Sequence, residues 1–264
     1  MKITALGTRG SIPVSGSEFD KYGGHTACYL VEDGEDALVI DAGSGIMNLP
    51  ERINERERLS LLLSHAHLDH ILGLPMMPFA LRKGKHLDIY AENHSGRSGY
   101  EQVHSLMRPP LWPIGTNALP SDIVYYELLP QIELNGFKIT TIRGNHPGGV
   151  SVFIIERNGK KVVYATDCTL TKDCADMLFP YIIGCDLLLC DGQYTDEEWV
   201  RASNFGHNSW RTSVDYANRC KVGCLRIIHH DPTHNDALLD TIDEQVRTAN
   251  DKYGLAKEGE TVHV

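Results

Sequence analysis

The chain has 264 residues, of which 42% are hydrophobic, and a formal net charge of −10. That size and hydrophobic content suffice for an ordinary core, and we expect residues 1–264 to form a single domain. The acidic balance excludes a broad basic face for extended nucleic acid, and no apolar stretch reaches the roughly 20 residues of a membrane span.

The N-terminal part of the chain predicts β structure. Residues 2–7 alternate as a first strand, and residues 26–31 and 37–40 indicate a hairpin that turns at Asp33-Gly34. Asp41 follows the second hairpin strand directly. It is either the hydrogen-bond partner of a metal-binding histidine or a residue that caps a turn, and the sequence favours neither reading over the other.

Residues 64–70, with the sequence SHAHLDH, are the most informative stretch of the chain. The apolar run 59–63 ends there abruptly, as expected of a buried strand whose C-terminal end delivers polar side chains to a site. Four imidazole or carboxylate side chains follow within six residues, and such groups bind zinc, manganese and iron: His65, His67, Asp69 and His70. Spaced clusters of this kind are rarely structural, so the stretch predicts a metal site.

The segment after this cluster predicts mixed and irregular structure. Residues 71–81 indicate a short helix interrupted by Pro75 and Pro78, and residues 88–91 indicate a strand. Residues 107–114 contain too many prolines for regular structure. This aromatic-containing loop either covers a pocket or packs at a subunit contact.

The second half of the chain returns to β structure. We expect residues 125–128 and 137–142 to begin a second sheet, which continues through further strands at 150–156, 161–165, 187–190 and 225–228. Two helices interrupt or follow these strands. One is capped by Asn208 or Ser209, and its inward face carries Trp210, Val214 and Ala217; the other begins at Thr233, with Leu238, Leu239, Ile242 and Val246 facing inward.

Predicted strands end repeatedly in histidine or aspartate. This happens at five separate places: His65, His146, Asp167, Asp191 and His229. An aspartate at a strand end is common in turns, but histidine has no special turn preference. The recurrence therefore indicates one site assembled from several strand ends.

The cysteines and the first residues bear on the compartment. Seven cysteines are an odd number, and none of them shows paired C-x-x-C spacing. This pattern favours reduced thiols that act as small buried hydrophobes rather than as zinc ligands. The start Met-Lys-Ile-Thr does not have the character of a signal peptide, so we expect a cytoplasmic protein.

The pattern H-x-H-x-D-H at residues 65–70 resembles the signature of the metallo-β-lactamase superfamily, and the resemblance extends over nearly the whole chain. It implies an α/β (α+β) fold, a four-layer αββα sandwich of two mixed sheets flanked by helices, with two divalent metal ions at one edge. Zn²⁺ is the expected metal, with Mn²⁺ and Fe²⁺ as alternatives. By position, one ion would be held by His65, His67 and His146, the other by Asp69, His70 and His229, with Asp167 as the bridge.

Three further segments resemble the phosphodiesterase branch related to tRNase Z: residues 7–11 (GTRGS), 146–149 (HPGG) and 229–232 (HHDP). The resemblance leaves His230 as the alternative to His229 for the last ligand. His207 and Asp191 stand in the places of that branch's catalytic histidine and of the acid that orients it. No insertion resembles the arm with which tRNase Z holds tRNA.

Within this branch the chain looks most like phosphodiesterases of 3′,5′-cyclic nucleotides, including the anti-Pycsar type. That resemblance implies a small anionic nucleotide as substrate and a homodimer. The implied catalytic residues are Asp69, His207 and Asp191: the metal centre activates water, and His207 protonates the leaving oxygen. Alternative functions are a tRNase Z-like RNA endonuclease, a non-catalytic metal-loaded ligand-binding module, and hydrolysis of a lactone or thioester.

Overall fold

Fourteen β-strands form two seven-stranded sheets in the computed structural model, which describes residues 1–264. In chain order the strands are β1 (Lys2–Gly7), β2 (Cys28–Asp33), β3 (Asp36–Ile40), β4 (Arg58–Leu63), β5 (His86–Ala91), β6 (Asp122–Glu127), β7 (Gln131–Leu134), β8 (Phe137–Gly144), β9 (Val150–Arg157), β10 (Lys160–Ala165), β11 (Leu187–Asp191), β12 (Leu225–Ile228), β13 (Tyr253–Leu255) and β14 (Thr261–His263).

Both sheets are mixed. The first has the order β14-β1-β2-β3-β4-β5-β6, and its strands β3 to β6 are parallel. The second has the order β13-β12-β11-β10-β9-β8-β7, and its strands β10 to β13 are parallel. Strand β4 lies inside the first sheet and is buried from Leu59 to Leu63, which explains why four of these five residues are leucine. The hairpins of the second sheet turn at Asn-Gly pairs with positive φ, at 135–136 and 158–159, as the sequence rule for such turns requires.

Seven α-helices accompany the sheets: α1 (Glu51–Asn54), α2 (Leu68–Ile71), α3 (Gly99–Leu106), α4 (Lys172–Ile182), α5 (Asp196–Ala202), α6 (Trp210–Cys220) and α7 (Asp236–Ala249). Three hydrophobic layers hold the structure together. One lies between the two sheets, with Tyr29 and Leu62 opposite Phe153 and Tyr164. The others lie on the outer faces, where helices cover each sheet. This is the predicted four-layer αββα sandwich.

The predicted helix over residues 71–81 is wrong in its extent. The α-helix here is α2, which ends at Ile71, and only a short 3₁₀ turn at Leu74–Met76 follows. Pro75 and Pro78 supply no backbone N–H group, so a longer helix would lack its hydrogen bonds at those positions.

Residues 125–128 do not belong to the second sheet, so that prediction is wrong. Strand β6 pairs in parallel with β5 and forms the edge of the first sheet. The loop 107–114 lies on the crossover between these two strands. Its Trp112 is half-buried against the outer hydrophobic layer of the first sheet, which makes it a packing residue of that layer.

The two C-terminal helices confirm most of their predicted features. Ser209, not Asn208, caps α6, whose Trp210, Val214 and Ala217 are buried. The last helix begins three residues later than expected, because Asn235 provides the cap through its side chain. Its Leu239, Ile242 and Val246 are buried as predicted, whereas Leu238 is exposed.

Six of the seven cysteines are buried as free thiols, and Cys224 is half-buried. No helix combines the length and the apolar character that crossing a membrane would require.

Candidate metal centre

The C-terminal ends of strands from both sheets meet at one edge of the sandwich. Strand β4 leads into His65 and His67, and α2 then carries Asp69 and His70. From the second sheet, His146 follows β8, Asp167 follows β10, and His229 follows β12. The structure therefore brings together all seven residues that the sequence singled out as ligands, and all but His67 are buried.

The side chains form two groups that share Asp167. In the first group, Asp167 Oδ2 lies 3.5 Å from His65 Nε2 and 3.7 Å from His146 Nε2, and His146 Nε2 lies 3.0 Å from His67 Nδ1. In the second, Asp167 Oδ1 lies 3.4 Å from His70 Nε2 and 3.1 Å from His229 Nε2. Asp69 Oδ2 completes this group, 3.0 Å from His229 Nε2. Each carboxylate oxygen of Asp167 thus faces a different set of ligand atoms.

Two ring nitrogens in these groups test whether a metal ion fits. His65 Nε2 and His70 Nε2 are buried and have no hydrogen-bond partner in the protein. A buried polar atom without a partner is costly, so such atoms require an explanation. Both face carboxylate oxygens and neighbouring imidazoles, which are the ligand types of divalent transition metals. The donor set fits a divalent metal site.

On the other side of the ring from Nε2, the Nδ1 atoms of two histidines of the cluster form hydrogen bonds to the protein. His70 Nδ1 donates to Asp41 Oδ2 at 2.8 Å, and His146 Nδ1 donates to the carbonyl oxygen of Gly206 at 3.1 Å. Asp41 also accepts from the backbone N–H and the hydroxyl of Ser64. Of its two possible roles, Asp41 therefore has that of hydrogen-bond partner to a histidine of the cluster. Such partners fix the orientation of the ring.

Three residues at the strand ends adopt positive φ, which non-glycine residues rarely do: Asp41 (φ 58°), Asp167 (φ 48°) and His229 (φ 65°). Each left-handed residue turns its chain sharply just after a strand. Strained backbone of this kind concentrates at functional sites, where the surrounding structure maintains it.

The cluster shifts the pKa values of its members in opposite directions. Burial lowers the pKa of His65 and lowers that of His146 to about 4. Burial would also lower the pKa of His70 and His229, but the carboxylates of Asp69 and Asp167 outweigh it and raise both values well above the usual range. The two buried carboxylates thus require positive charge beside them, which protons supply when no cation does.

His207 and Asp191 lie beside this cluster. His207 Nδ1 is 2.8 Å from Asp191 Oδ2, and Asp191 Oδ1 accepts from the backbone N–H of Asn208 at 2.9 Å. The ring of His207 stacks on that of His229, with 4.8 Å between centroids and an angle of 18°. The Trp199 indole N–H also donates to the backbone carbonyl of His207, at 3.1 Å. The predicted pair is formed and adjoins the second ligand group.

His230 lies outside the cluster. Its Nε2 donates to the backbone carbonyl of Ala256 at 2.8 Å, and burial lowers its pKa to about 3. His229 is the member of the pair that faces Asp69 and Asp167.

Three contacts to the cluster were not anticipated from the sequence. The backbone N–H of Ser11 donates to Asp69 Oδ2 at 2.7 Å, and Gln193 Oε1 lies 3.2 Å from His229 Nδ1. Gly10 packs so closely on His229 that a Cβ atom there would lie 2.2 Å from the ring. The available signals were the Gly-Ser loop after β1 and a polar residue two positions beyond the end of β11.

A cavity of about 350 Å³ adjoins the first ligand group and is lined by His65, His67, Arg97, Gly148 and Gly149, among others. A larger cavity, of about 660 Å³, contains Lys2, Glu32 and Arg58 near the opposite ends of the strands. The smaller one is the relevant one, because it alone of these two contacts the cluster.

Comparisons with known proteins identify the family of the chain. The family model of the β-lactamase superfamily domain matches residues 37–230. A probable metallo-hydrolase, YhfI of Bacillus subtilis, is 26% identical, with 98% of each chain covered. Its crystal structure superposes with a TM-score of 0.74 over 99% of each chain at 20% identity.

Two further similarities extend the comparison. A ribonuclease Z of Bradyrhizobium sp. (strain ORS 278) is 31% identical, and the match covers 86% of this chain and 89% of the relative. The crystal structure of a diphosphatase from the PhnP family has a TM-score of 0.74 at 17% identity, with 100% of this chain and 97% of the other covered. The chain therefore belongs to the metallo-β-lactamase superfamily and is a metal-dependent hydrolase related to ribonuclease Z.

Proposed function

We propose that this hydrolase is a dinuclear phosphodiesterase that opens 3′,5′-cyclic nucleotides. The observation that carries the proposal is the division of Asp167 between two ligand groups, next to the His207–Asp191 pair. His65, His67 and His146 would hold one ion, Asp69, His70 and His229 the other, and Asp167 would bridge them. Two Zn²⁺ ions would supply Lewis-acid stabilisation of the phosphoryl group and a water of lowered pKa.

His207 is the general acid in this proposal. Asp191 Oδ2 accepts a hydrogen bond from the Nδ1–H of His207, so the proton on Nε2 is the one that His207 can transfer. Water adds to phosphorus and gives up one proton to solvent, the P–O3′ bond breaks, and the 3′-oxygen takes the proton from His207, which is then protonated again from solvent. The product is a nucleoside 5′-monophosphate, and no free alkoxide forms.

The dimensions and charge of the molecule support a small substrate. The cavity beside His65 and His67 has about 350 Å³, which suits a mononucleotide. Arg97 at its wall offers a guanidinium group for a phosphate or for a base. The net charge of −10 disfavours an extended polyanion elsewhere on the surface.

One observation favours a second candidate function. The relative that shares 31% identity over most of both chains is a ribonuclease Z. Cleavage of an RNA precursor uses the same phosphodiester chemistry, so the ligand set and the His207–Asp191 pair would serve it equally well.

The decisive experiment compares substrates. Purified protein loaded with Zn²⁺ or Mn²⁺ is incubated with a panel of 3′,5′-cyclic mononucleotides, a cyclic dinucleotide and a tRNA precursor, and the products are separated chromatographically. We expect at least one cyclic mononucleotide to yield its 5′-monophosphate, and a His65→Ala variant prepared in the same way to yield none. Cleavage of the tRNA precursor alone would replace this proposal with the ribonuclease function.

A further inference from the structure

His229 is held from both sides of its ring. Its Nε2 faces the cluster, 3.0 Å from Asp69 Oδ2 and 3.1 Å from Asp167 Oδ1. Its Nδ1 faces away from the cluster and lies 3.2 Å from the side-chain oxygen of Gln193. Gln193 is 3% exposed, so its amide must find partners within the protein.

The orientation of the Gln193 amide follows from its other contacts. Its Nε2 group donates to Asp231 Oδ2 at 3.0 Å, and an ionised carboxylate can only accept. The amide oxygen must then point at His229. Because that oxygen also only accepts, His229 Nδ1 must carry the proton, which leaves Nε2 with a lone pair for a cation.

The contact between Gln193 and His229 also affects His207, because both histidines lie near Asp191. Asp191 Oδ2 lies 2.8 Å from His207 Nδ1 but also 3.6 Å from His229 Nδ1. The two imidazole rings are stacked, so both Nδ1 atoms approach the same carboxylate. Without the Gln193 oxygen, Asp191 would be the nearest acceptor for His229 and would be shared between the two rings.

We propose that Gln193, held by Asp231, is a positioning residue that fixes the tautomer of His229 and reserves Asp191 for His207. This inference rests on the proposed function for the roles of His229 as a metal ligand and His207 as the general acid. It assigns both residues a role in metal binding, although Asp231 belongs to neither ligand group and Gln193 contacts His229 at Nδ1, the nitrogen that faces away from the cluster.

A substitution of Asp231 tests which groups donate and which accept in the hydrogen bonds that connect Asp231, Gln193 and His229. Asp231 Oδ1 accepts from the backbone N–H of Thr233 at 2.9 Å and from its hydroxyl at 2.6 Å, so in Asp231→Asn the amide oxygen stays there and the NH₂ group faces Gln193. The Gln193 amide then turns over and presents its own NH₂ group to His229 Nδ1. The His229 proton must move to Nε2, the atom that faces the cluster.

We expect Asp231→Asn to lower the affinity for one of the two Zn²⁺ ions by roughly 10- to 100-fold, which is the usual effect of removing a group that orients a ligand. The measurement is a competitive titration with a chromophoric chelator, which reports the stoichiometry and both affinities. The double variant Gln193→Glu/Asp231→Asn restores complementarity, because the carboxylate introduced at position 193 accepts from His229 and from the amide introduced at position 231. Its affinities should return close to those of the unmodified protein.

Two outcomes would overturn the inference. In one, Asp231→Asn binds both ions as tightly as the unmodified chain; in the other, the double variant stays as weak as the single one although both unfold at the same temperature without metal. Asp122→Asn is the matched control, since Asp122 is exposed and its side chain contacts the exposed His86. The titration needs no substrate, so it is independent of whether cyclic nucleotides are cleaved.

Discussion

The histidines of the second ligand group and His146 share one feature at the level of single atoms. Each has Nδ1 next to a group that can only accept a hydrogen bond: a carboxylate for His70, a backbone carbonyl for His146 and an amide oxygen for His229. Each Nε2 is consequently the nitrogen that offers a lone pair when an ion binds. Three chemically different acceptors thus hold the Nδ1 protons, and at His70 and His229 an entering ion would displace only the Nε2 proton that the carboxylates of Asp69 and Asp167 otherwise retain.

The role of His207 as a general acid predicts a dependence on the leaving group. His207→Ala should lower kcat for a cyclic nucleotide about 10²- to 10⁴-fold, because its alkoxide leaving group needs a proton. For bis(p-nitrophenyl) phosphate, whose leaving group departs as a stable anion, the loss should be less than about tenfold by the same argument. Steady-state kinetics on both substrates, with metal content determined in parallel, check this.

The control for that experiment is His86→Ala, which removes an exposed histidine on β5. Equal losses of activity on both substrates would contradict proton donation by His207 and would indicate a role in substrate or metal binding.

Gly10 predicts a steric effect on the metal centre. A Cβ atom at this position would lie 2.2 Å from His229 Nδ1 and 2.3 Å from its Cε1, so Gly10→Ala must displace the ring. We expect loss of one bound ion, measured by atomic absorption after dialysis. In contrast, Gly115→Ala places its Cβ no closer than 3.7 Å to any neighbour and should retain both ions. Retention of both ions by Gly10→Ala would show that His229 can move without loss of binding.

At the scale of elements, Asp41 links three strands. It follows β3, accepts two hydrogen bonds from Ser64 after β4, and accepts a third from the hydroxyl of Tyr164 in β10 at 2.8 Å. Since β10 belongs to the other sheet, this last bond joins the two sheets directly beneath the cluster. Asp41 thereby couples the packing between the sheets to the position of His70.

Two buried tyrosines allow a matched test of this link. Tyr164→Phe removes a donor to a buried carboxylate and should lower the free energy of unfolding by roughly 1–3 kcal/mol. Tyr29, whose ring centroid lies 5.2 Å from that of Tyr164, has a buried hydroxyl without a partner. Tyr29→Phe should therefore be neutral or slightly stabilising. Urea unfolding of both variants without metal checks the difference, and equal destabilisation would contradict it.

The elements also show what the sequence could predict. Strand β4 could be predicted because its buried apolar run ends abruptly in polar residues. The Asn-Gly pairs likewise predict the hairpin turns from local sequence alone. The sequence could not predict which sheet β6 joins, since α3 and a long loop separate it from its partner β5. Parallel pairing across such a crossover leaves no local pattern.

The site shows the same division between local and non-local information. The spacing of the candidate ligands within residues 65–70 is enough to predict a metal site. His229 and His230 could not be told apart by spacing, because adjacent residues at a strand end point to opposite faces and only the fold decides which face holds the cluster. Gln193 was missed because a single amide acquires its role through two partners 36 and 38 positions away.

At the scale of the whole molecule, the candidate metal centre lies across the two sheets. His65, His67, Asp69 and His70 belong to the half of the chain that forms the first sheet, whereas His146, Asp167 and His229 follow strands of the second. Each ligand group contains residues from both halves. A bound ion therefore joins the sheets at this edge, in addition to the hydrophobic layer between them.

This placement predicts that metal binding stabilises the entire fold and not merely the loops around the site. Metal at a free concentration of 100 times its Kd should raise the free energy of unfolding by about 2.7 kcal/mol per ion, or on the order of 5 °C in Tm. Calorimetry of chelator-treated and Zn²⁺-loaded protein measures the shift. Asp167→Ala should abolish the increase in Tm for both ions, since one oxygen of Asp167 faces each group. His67→Ala should remove only the part of the increase that one ion contributes. A full shift in Asp167→Ala would mean that the two sheets are joined by metal without this bridge.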